Sequence, residues 1–220
     1  MFKFKFLFLF LFLMCLNLSA VNFLSYEKGV KLGVNLSGIS TGESNFEGLE
    51  FGDSVESRYG FALGGFIMIP IKPNMDIQVE LLFNQKGYLF EHVINPSFKV
   101  EHDLRASYIE IPVLFNYKLK EVFNLYAGAY LSVLIHSDVN IEGPASSTSP
   151  EKLEGPAEDS LSTFDLGVTL GASFKYKKFF VDLRLSRGIM DINLRGLLGK
   201  SHIQENTYNQ QLLLFLGYTL

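Results

Sequence analysis

Eight stretches of this 220-residue chain alternate apolar residues with polar or small ones, and no other feature limits its fold so strongly. Period two is the side-chain repeat of a β-strand whose two faces meet different surroundings. In the first stretch Val30, Leu32, Val34 and Leu36 alternate with Lys31, Gly33, Asn35 and Ser37. In the second, Tyr59, Phe61, Leu63, Ile67 and Ile69 share one face. The third sets Met75, Ile77, Val79, Leu81 and Phe83 against Asp76, Gln78, Glu80, Leu82 and Asn84. The fourth sets Ile109, Ile111, Val113, Phe115 and Tyr117 against Tyr108, Glu110, Pro112, Leu114 and Asn116. The fifth runs from Phe123 to Val133, the sixth from Phe164 to Phe174, the seventh from Phe179 to Ser186 and the eighth from Gln211 to Leu220. An even number of strands, several about ten residues long, suits an antiparallel barrel crossing a bilayer. The expected fold is all-β: an eight-stranded antiparallel up-and-down transmembrane β-barrel.

Alternation by itself fits a soluble barrel as well, with its apolar face turned inward. Two observations reverse that choice. The apolar face carries no charge in these stretches, whereas Asp76, Glu80, Glu110, Asp165, Asp182 and Arg184 all fall on the other face. Gly33, Gly60, Gly64, Gly128, Gly167, Gly171 and Gly217 also lie on that mixed face, and only Gly65 lies on the apolar one. An eight-stranded lumen is just wide enough to be filled by side chains, so small and polar residues belong inside and bulky apolar ones meet lipid. Closure is then obligatory, because each unpaired backbone group in hydrocarbon costs several kcal/mol.

The connections agree. Links near Pro70–Asn74, Lys118–Glu121 and Tyr176–Lys178 are short, while those over 39–57, 88–104, 137–162 and 188–206 are long and polar. Short and long links alternate, as periplasmic turns and extracellular loops do in outer-membrane barrels. This predicts both termini in the periplasm. Tyr117, Phe123, Phe179 and Tyr218 are expected at one interfacial girdle and Tyr59 and Phe90 at the other.

Residues 1–20 read as a secretory signal peptide and 21–220 as the barrel domain. Lys3 and Lys5 precede an apolar run from Leu7 to Leu16, and small residues end it at Ser19 and Ala20. The run is shorter than the roughly 20 apolar residues of a transmembrane helix. Cys15, the single cysteine, lies within this leader, so neither a disulfide framework nor a thiolate metal site is expected in the rest. The formal net charge of −4 gives no support to nucleic-acid binding, which calls for a basic patch. Outer-membrane lipid and the barrel-assembly machinery are the expected partners, with a protein partner at the extracellular loops.

Three strands and the C-terminal segment carry a resemblance. Gly29-Val-Lys-Leu-Gly-Val-Asn-Leu36, Tyr108-Ile-Glu-Ile-Pro-Val-Leu-Phe-Asn-Tyr117 and Leu166-Gly-Val-Thr-Leu-Gly-Ala172 resemble the outer-membrane β-barrel domain family that includes PorT-like proteins. Leu214-Phe-Leu-Gly-Tyr-Thr-Leu220 is similar to the terminal strand that barrel-assembly machinery reads, with Leu220 in place of a final Phe. The resemblance implies an integral outer-membrane protein of unassigned function, and PorT itself is linked to protein secretion. Fold likeness alone does not transfer that role.

Four inward-facing charges, Glu80, Glu110, Asp182 and Arg184, form the candidate site: a lumenal ionic network that fills the barrel. Pro112 cannot donate to a β-ladder, so a bulge or a local break is expected there. His92, His102, His136 and His202 fall in or near the long links, and their spacing fits no tight metal signature. His136-Ser137-Asp138 holds the residue types of a hydrolase, but a triad is assembled from separate elements. No catalytic, cofactor or metal residue is assigned. The expected function is a non-enzymatic structural or secretion-accessory role through the loops, where Leu104, Ile141, Leu197 and Leu198 offer apolar contacts. The alternatives are a lipid-modifying enzyme and a small-solute pore.

Overall fold

The computed structural model describes residues 26–41, 55–95, 98–120, 122–142, 152–156, 161–192 and 206–220. They form nine strands: β1 (Glu27–Thr41), β2 (Val55–Lys72), β3 (Met75–Asn95), β4 (Phe98–Lys120), β5 (Phe123–Glu142), β6 (Lys152–Pro156), β7 (Phe164–Tyr176), β8 (Phe179–Gly188) and β9 (Thr207–Thr219). Each pairs antiparallel with its neighbour, and β1 pairs with β9 from Gly29↔Thr219 to Thr41↔Thr207. The ring therefore runs β1-β2-β3-β4-β5-β7-β8-β9 and closes on itself. The five-residue β6 stays outside it, paired only with the far end of β5 from Asp138 to Glu142.

Both faces follow the sequence alternation. Val30, Leu32, Val34, Phe115, Leu170, Leu183 and Leu216 are exposed, while Lys31, Asn35, Glu80, Asn84, Glu110, Asp165, Asp182 and Arg184 are buried. This inversion of the usual core is the arrangement of a barrel that meets hydrocarbon outside and fills its own interior. Apolar residues that do point inward, Ala62, Leu82, Leu213 and Phe215, pack together between the polar groups.

The long links are more ordered than their polarity suggests. Most of the expected loop over 88–104 is strand: β3 continues to Asn95 and β4 begins at Phe98. Beyond the bilayer the outer face of a hairpin meets water instead of lipid while its inner face can still be covered, so the alternation that marks a spanning strand has no reason to persist. Leu104 is accordingly not an outward contact residue. It is buried with Ile39, Tyr88, Tyr108 and Val139, and Leu161 and Ile192 from the later links close over the same cluster. Ser162 N donates to Ile192 O at 3.0 Å and Ile192 N to Thr207 O at 2.9 Å, which ties this cap to β9. Ile141 and Phe90 lie in strands, but their side chains fall outside the described residues, as do Leu197, Leu198, His202 and the leader with Cys15.

Pro112 leaves a local break rather than a bulge. The β3–β4 ladder is interrupted between Val79↔Val113 and Leu82↔Glu110 and resumes in the same register. On the other side Pro112 pairs in sequence with Tyr130 of β5. The break at Pro112 thus costs two ladder positions, Glu80 opposite Pro112 and Leu81 opposite Ile111, without shifting either face.

Candidate functional site

The barrel interior is built by strands at quarter turns around the ring. Period two aims Lys31 of β1, Glu80 of β3, Tyr126 of β5 and Arg184 of β8 at the same depth of the lumen. Arg184 grips Glu80 with its two terminal guanidinium nitrogens, Nη1 to Oε2 at 2.9 Å and Nη2 to Oε1 at 3.0 Å. Lys31 Nζ donates to Glu80 Oε1 at 2.6 Å and to Asp182 Oδ2 at 3.2 Å. Arg184 Nη2 also reaches Asp182 Oδ2 at 3.2 Å, and its Nε donates to Tyr126 Oη at 3.1 Å. Tyr126 in turn donates to Asp182. Two cations thus meet two carboxylates. Both cations also lie over the Phe215 ring, Lys31 Nζ 4.3 Å and Arg184 Cζ 5.2 Å from its centre.

A second cluster sits toward the long links. Lys86 Nζ lies 3.0 Å from Glu110 Oε2 and 2.9 Å from Asp165 Oδ2. Ser132 donates to Glu110 at 2.9 Å, and Asn209 donates to Asp165 at 2.8 Å. The Lys86 ammonium is 4.5 Å from the Tyr130 ring centre and 5.0 Å from that of Tyr108. Here one ammonium faces two carboxylates, and Asp165 Oδ1 is buried without a hydrogen-bond partner. Asn84 joins the clusters' surroundings, donating to Glu110 at 3.1 Å and to Gln211 at 2.9 Å.

The four residues singled out from sequence therefore divide. Glu80, Asp182 and Arg184 share the first cluster, and Glu110 belongs to the second. Lys31 and Lys86, which link the carboxylates in each, were not singled out. The signal for Lys31 was its place between Val30 and Leu32. Lys86 lies two residues beyond the third alternating stretch, in phase with Glu80 and Asn84.

Side chains fill most of the space. Below the first cluster, between Gln78, Tyr126, Asp182 and Lys175, a pocket of about 30 Å³ has room for a water or two. His136 Nε2 lies 2.9 Å from Asp138 Oδ2 on exposed positions of β5, whereas Ser137 between them is buried on the opposite face. Strand geometry thus separates the serine from the pair beside it. Backbone pairing sets His92 against Val100 and His102 against Phe90, and their side chains lie outside the described residues. Among the described residues, no group of three or more His, Cys, Asp and Glu could hold a metal ion.

The family description "Outer membrane protein beta-barrel domain" matches residues 22–193. Among solved structures, Ail, the attachment invasion locus protein of Yersinia pestis, is similar at 13% identity over 90% of this chain and 100% of its own, with a TM-score of 0.48. Neisserial surface protein A is similar at 14% identity over 88% and 98% of the two chains, also with a TM-score of 0.48. OprG from Pseudomonas aeruginosa follows at 11% identity over 89% and 94%, with a TM-score of 0.37. No curated protein sequence matches the chain.

Proposed function

From the premise that this chain belongs to the outer membrane protein β-barrel domain family, we propose that it works without catalysis, as a membrane-anchored platform for a protein partner outside the cell. The observation that carries this reading is unequal strand length. β7, β8 and β9 have 13, 10 and 13 residues, whereas β3, β4 and β5 have 21, 23 and 20. A spanning strand needs only about 9–11 residues. The excess of β3, β4 and β5, extended by β6, stands above the long-link end as a continuous sheet whose last strand, β6, has no second neighbour among the described residues.

The same reading sets the short turns and both ends of the barrel in the periplasm and takes residues 1–20 as the export signal. Kinship with PorT-like proteins, supported by the Tyr108–Tyr117 strand, favours an accessory role in secretion. The filled lumen argues for a platform over a pore, and the separation of Ser137 from His136 and Asp138 argues against a hydrolase built there.

Removal of the protruding tip tests the proposal. Residues 91–101 are replaced by Asn-Gly, a two-residue hairpin turn joining the paired Phe90 and His102. The shortened protein should still assemble in the outer membrane, yet reproduce the secretion or adhesion phenotype of a strain lacking the gene. Full complementation by the shortened barrel would overturn the platform reading.

A further inference from the structure

The lipid-facing surface is not uniform. At the short-turn end of β1, β7, β8 and β9, and reaching Leu63 and Gly64 of β2, it holds a groove of about 910 Å³. Pairing explains its shape. Val30 lies beside Tyr218, which lies beside Phe179. One step further in, Leu32, Leu216, Val181 and Phe174 follow one another across the same four strands. The floor includes Gly217, whose inward side is covered by the Phe180 ring: a Cβ there would stand 2.0 Å from Phe180 Cζ. Gly64 and Gly217 in the floor, between aromatic, valine and leucine side chains, leave an apolar trough.

Its mouth is basic. Lys177 and Lys178 form the β7–β8 turn, with Lys177 in the left-handed region at φ 55°. Their ammonium groups lie 5.5 Å from the ring centres of Tyr176 and Tyr218, both of which line the groove. Lys28 is exposed on the same outward face as Val30. Backbone bonds draw these lysines to one place: Thr219 N donates to Lys178 O at 2.7 Å and Leu220 N to Lys28 O at 2.8 Å. Among the described residues, no carboxylate pairs with Lys28, Lys177 or Lys178. Glu27, the nearest acid in sequence, is taken by Lys175 at 2.5 Å.

We propose that this groove binds one anionic glycerophospholipid of the periplasmic leaflet, with an acyl chain along the trough and the phosphate between Lys28, Lys177 and Lys178. An apolar slot ending in three lysines that, among the described residues, pair with no side-chain carboxylate matches a fatty chain ending in a phosphate. A zwitterionic headgroup gains less, because its own ammonium offsets the attraction. The choice of leaflet rests on the orientation proposed above, whereas headgroup selectivity does not.

The chain contains no tryptophan, so one introduced residue reports its own lipid neighbours. Phe174→Trp lies in the groove, and Leu131→Trp lies on β5 away from it. Each is reconstituted in vesicles of phosphatidylcholine mixed with brominated phosphatidylglycerol, and in the reverse mixture, and quenching gives the relative binding constant at that site. Phe174→Trp should favour phosphatidylglycerol by about fivefold, the effect of roughly one lysine near an anionic surface. Leu131→Trp should show no preference. In the background Lys28→Gln, Lys177→Gln and Lys178→Gln the preference at Phe174→Trp should disappear while the barrel remains assembled. No preference at Phe174→Trp, or one that survives loss of the lysines, would overturn the site. Labelling of Lys177→Cys by an impermeant maleimide on intact cells tests the leaflet separately. A labelled cysteine would remove the orientation and the leaflet assignment but leave the selectivity result standing.

Discussion

Arg184 on β8 and Glu80 on β3 belong to strands four steps apart in the eight-membered ring, and their bidentate ion pair at 2.9 and 3.0 Å spans the full width of the lumen. Lys31 and Tyr126 approach it from the two strands midway between. The pair therefore acts as a strut across the barrel. Both side chains are fully buried.

Removing one end of the strut leaves an uncompensated buried charge. Arg184→Met or Glu80→Met should destabilise the barrel by about 3–5 kcal/mol, and the double variant by less than the sum of the two. Denaturant unfolding in lipid vesicles measures all three. Single variants within the error of the parent protein would show that the pair is not a strut.

The Lys86 cluster gives an asymmetric expectation, because one ammonium serves two carboxylates. Lys86→Met should cost about 3–5 kcal/mol, since it leaves Glu110 and Asp165 facing each other. Asp165→Asn should stay within about 1 kcal/mol of the parent, because an amide oxygen can still accept from Lys86 and Asn209 while the excess charge is removed. Equal losses in the two variants would contradict the charge imbalance.

Glycines of the two faces should respond differently to a methyl group. A Cβ at Gly171 would stand 2.3 Å from Tyr126 Oη, whereas one at Gly65 would meet nothing nearer than Gly29 O at 3.4 Å. Gly171→Ala should cost about 1–3 kcal/mol by overpacking and disturb Tyr126, and Gly65→Ala should be nearly neutral. The same unfolding measurement, with Tyr126→Phe as a reference, checks both.

Arginine placed on the lipid face should report depth. Leu170→Arg and Leu214→Arg near mid-membrane should destabilise by about 2–4 kcal/mol, and Tyr59→Arg near the long-link rim by about 0–1 kcal/mol. Equal penalties, or none, would mean that these residues do not face hydrocarbon.

Migration on SDS gels gives the simplest check of assembly. The outer-membrane fraction should hold a compact SDS-resistant form that shifts only on boiling. A soluble periplasmic protein with no shift would refute the membrane barrel.

The sequence by itself determined which residues face lipid and which face the lumen. In a spanning strand each face meets one environment along its length, so the pattern Val30-Lys31-Leu32-Gly33 has only one consistent reading. Local pattern also located Glu80, Glu110, Asp182 and Arg184 inside. Only the tertiary structure decided who pairs with whom. Partners such as Arg184 and Glu80 lie 104 positions apart on strands that do not pair, and their meeting depends on ring closure and stagger. Lys86, Leu104 and the hairpin over 88–104 were hidden for a related reason: above the bilayer no lipid demands an apolar face, so strand and loop look alike in sequence, and long-range pairing alone tells them apart.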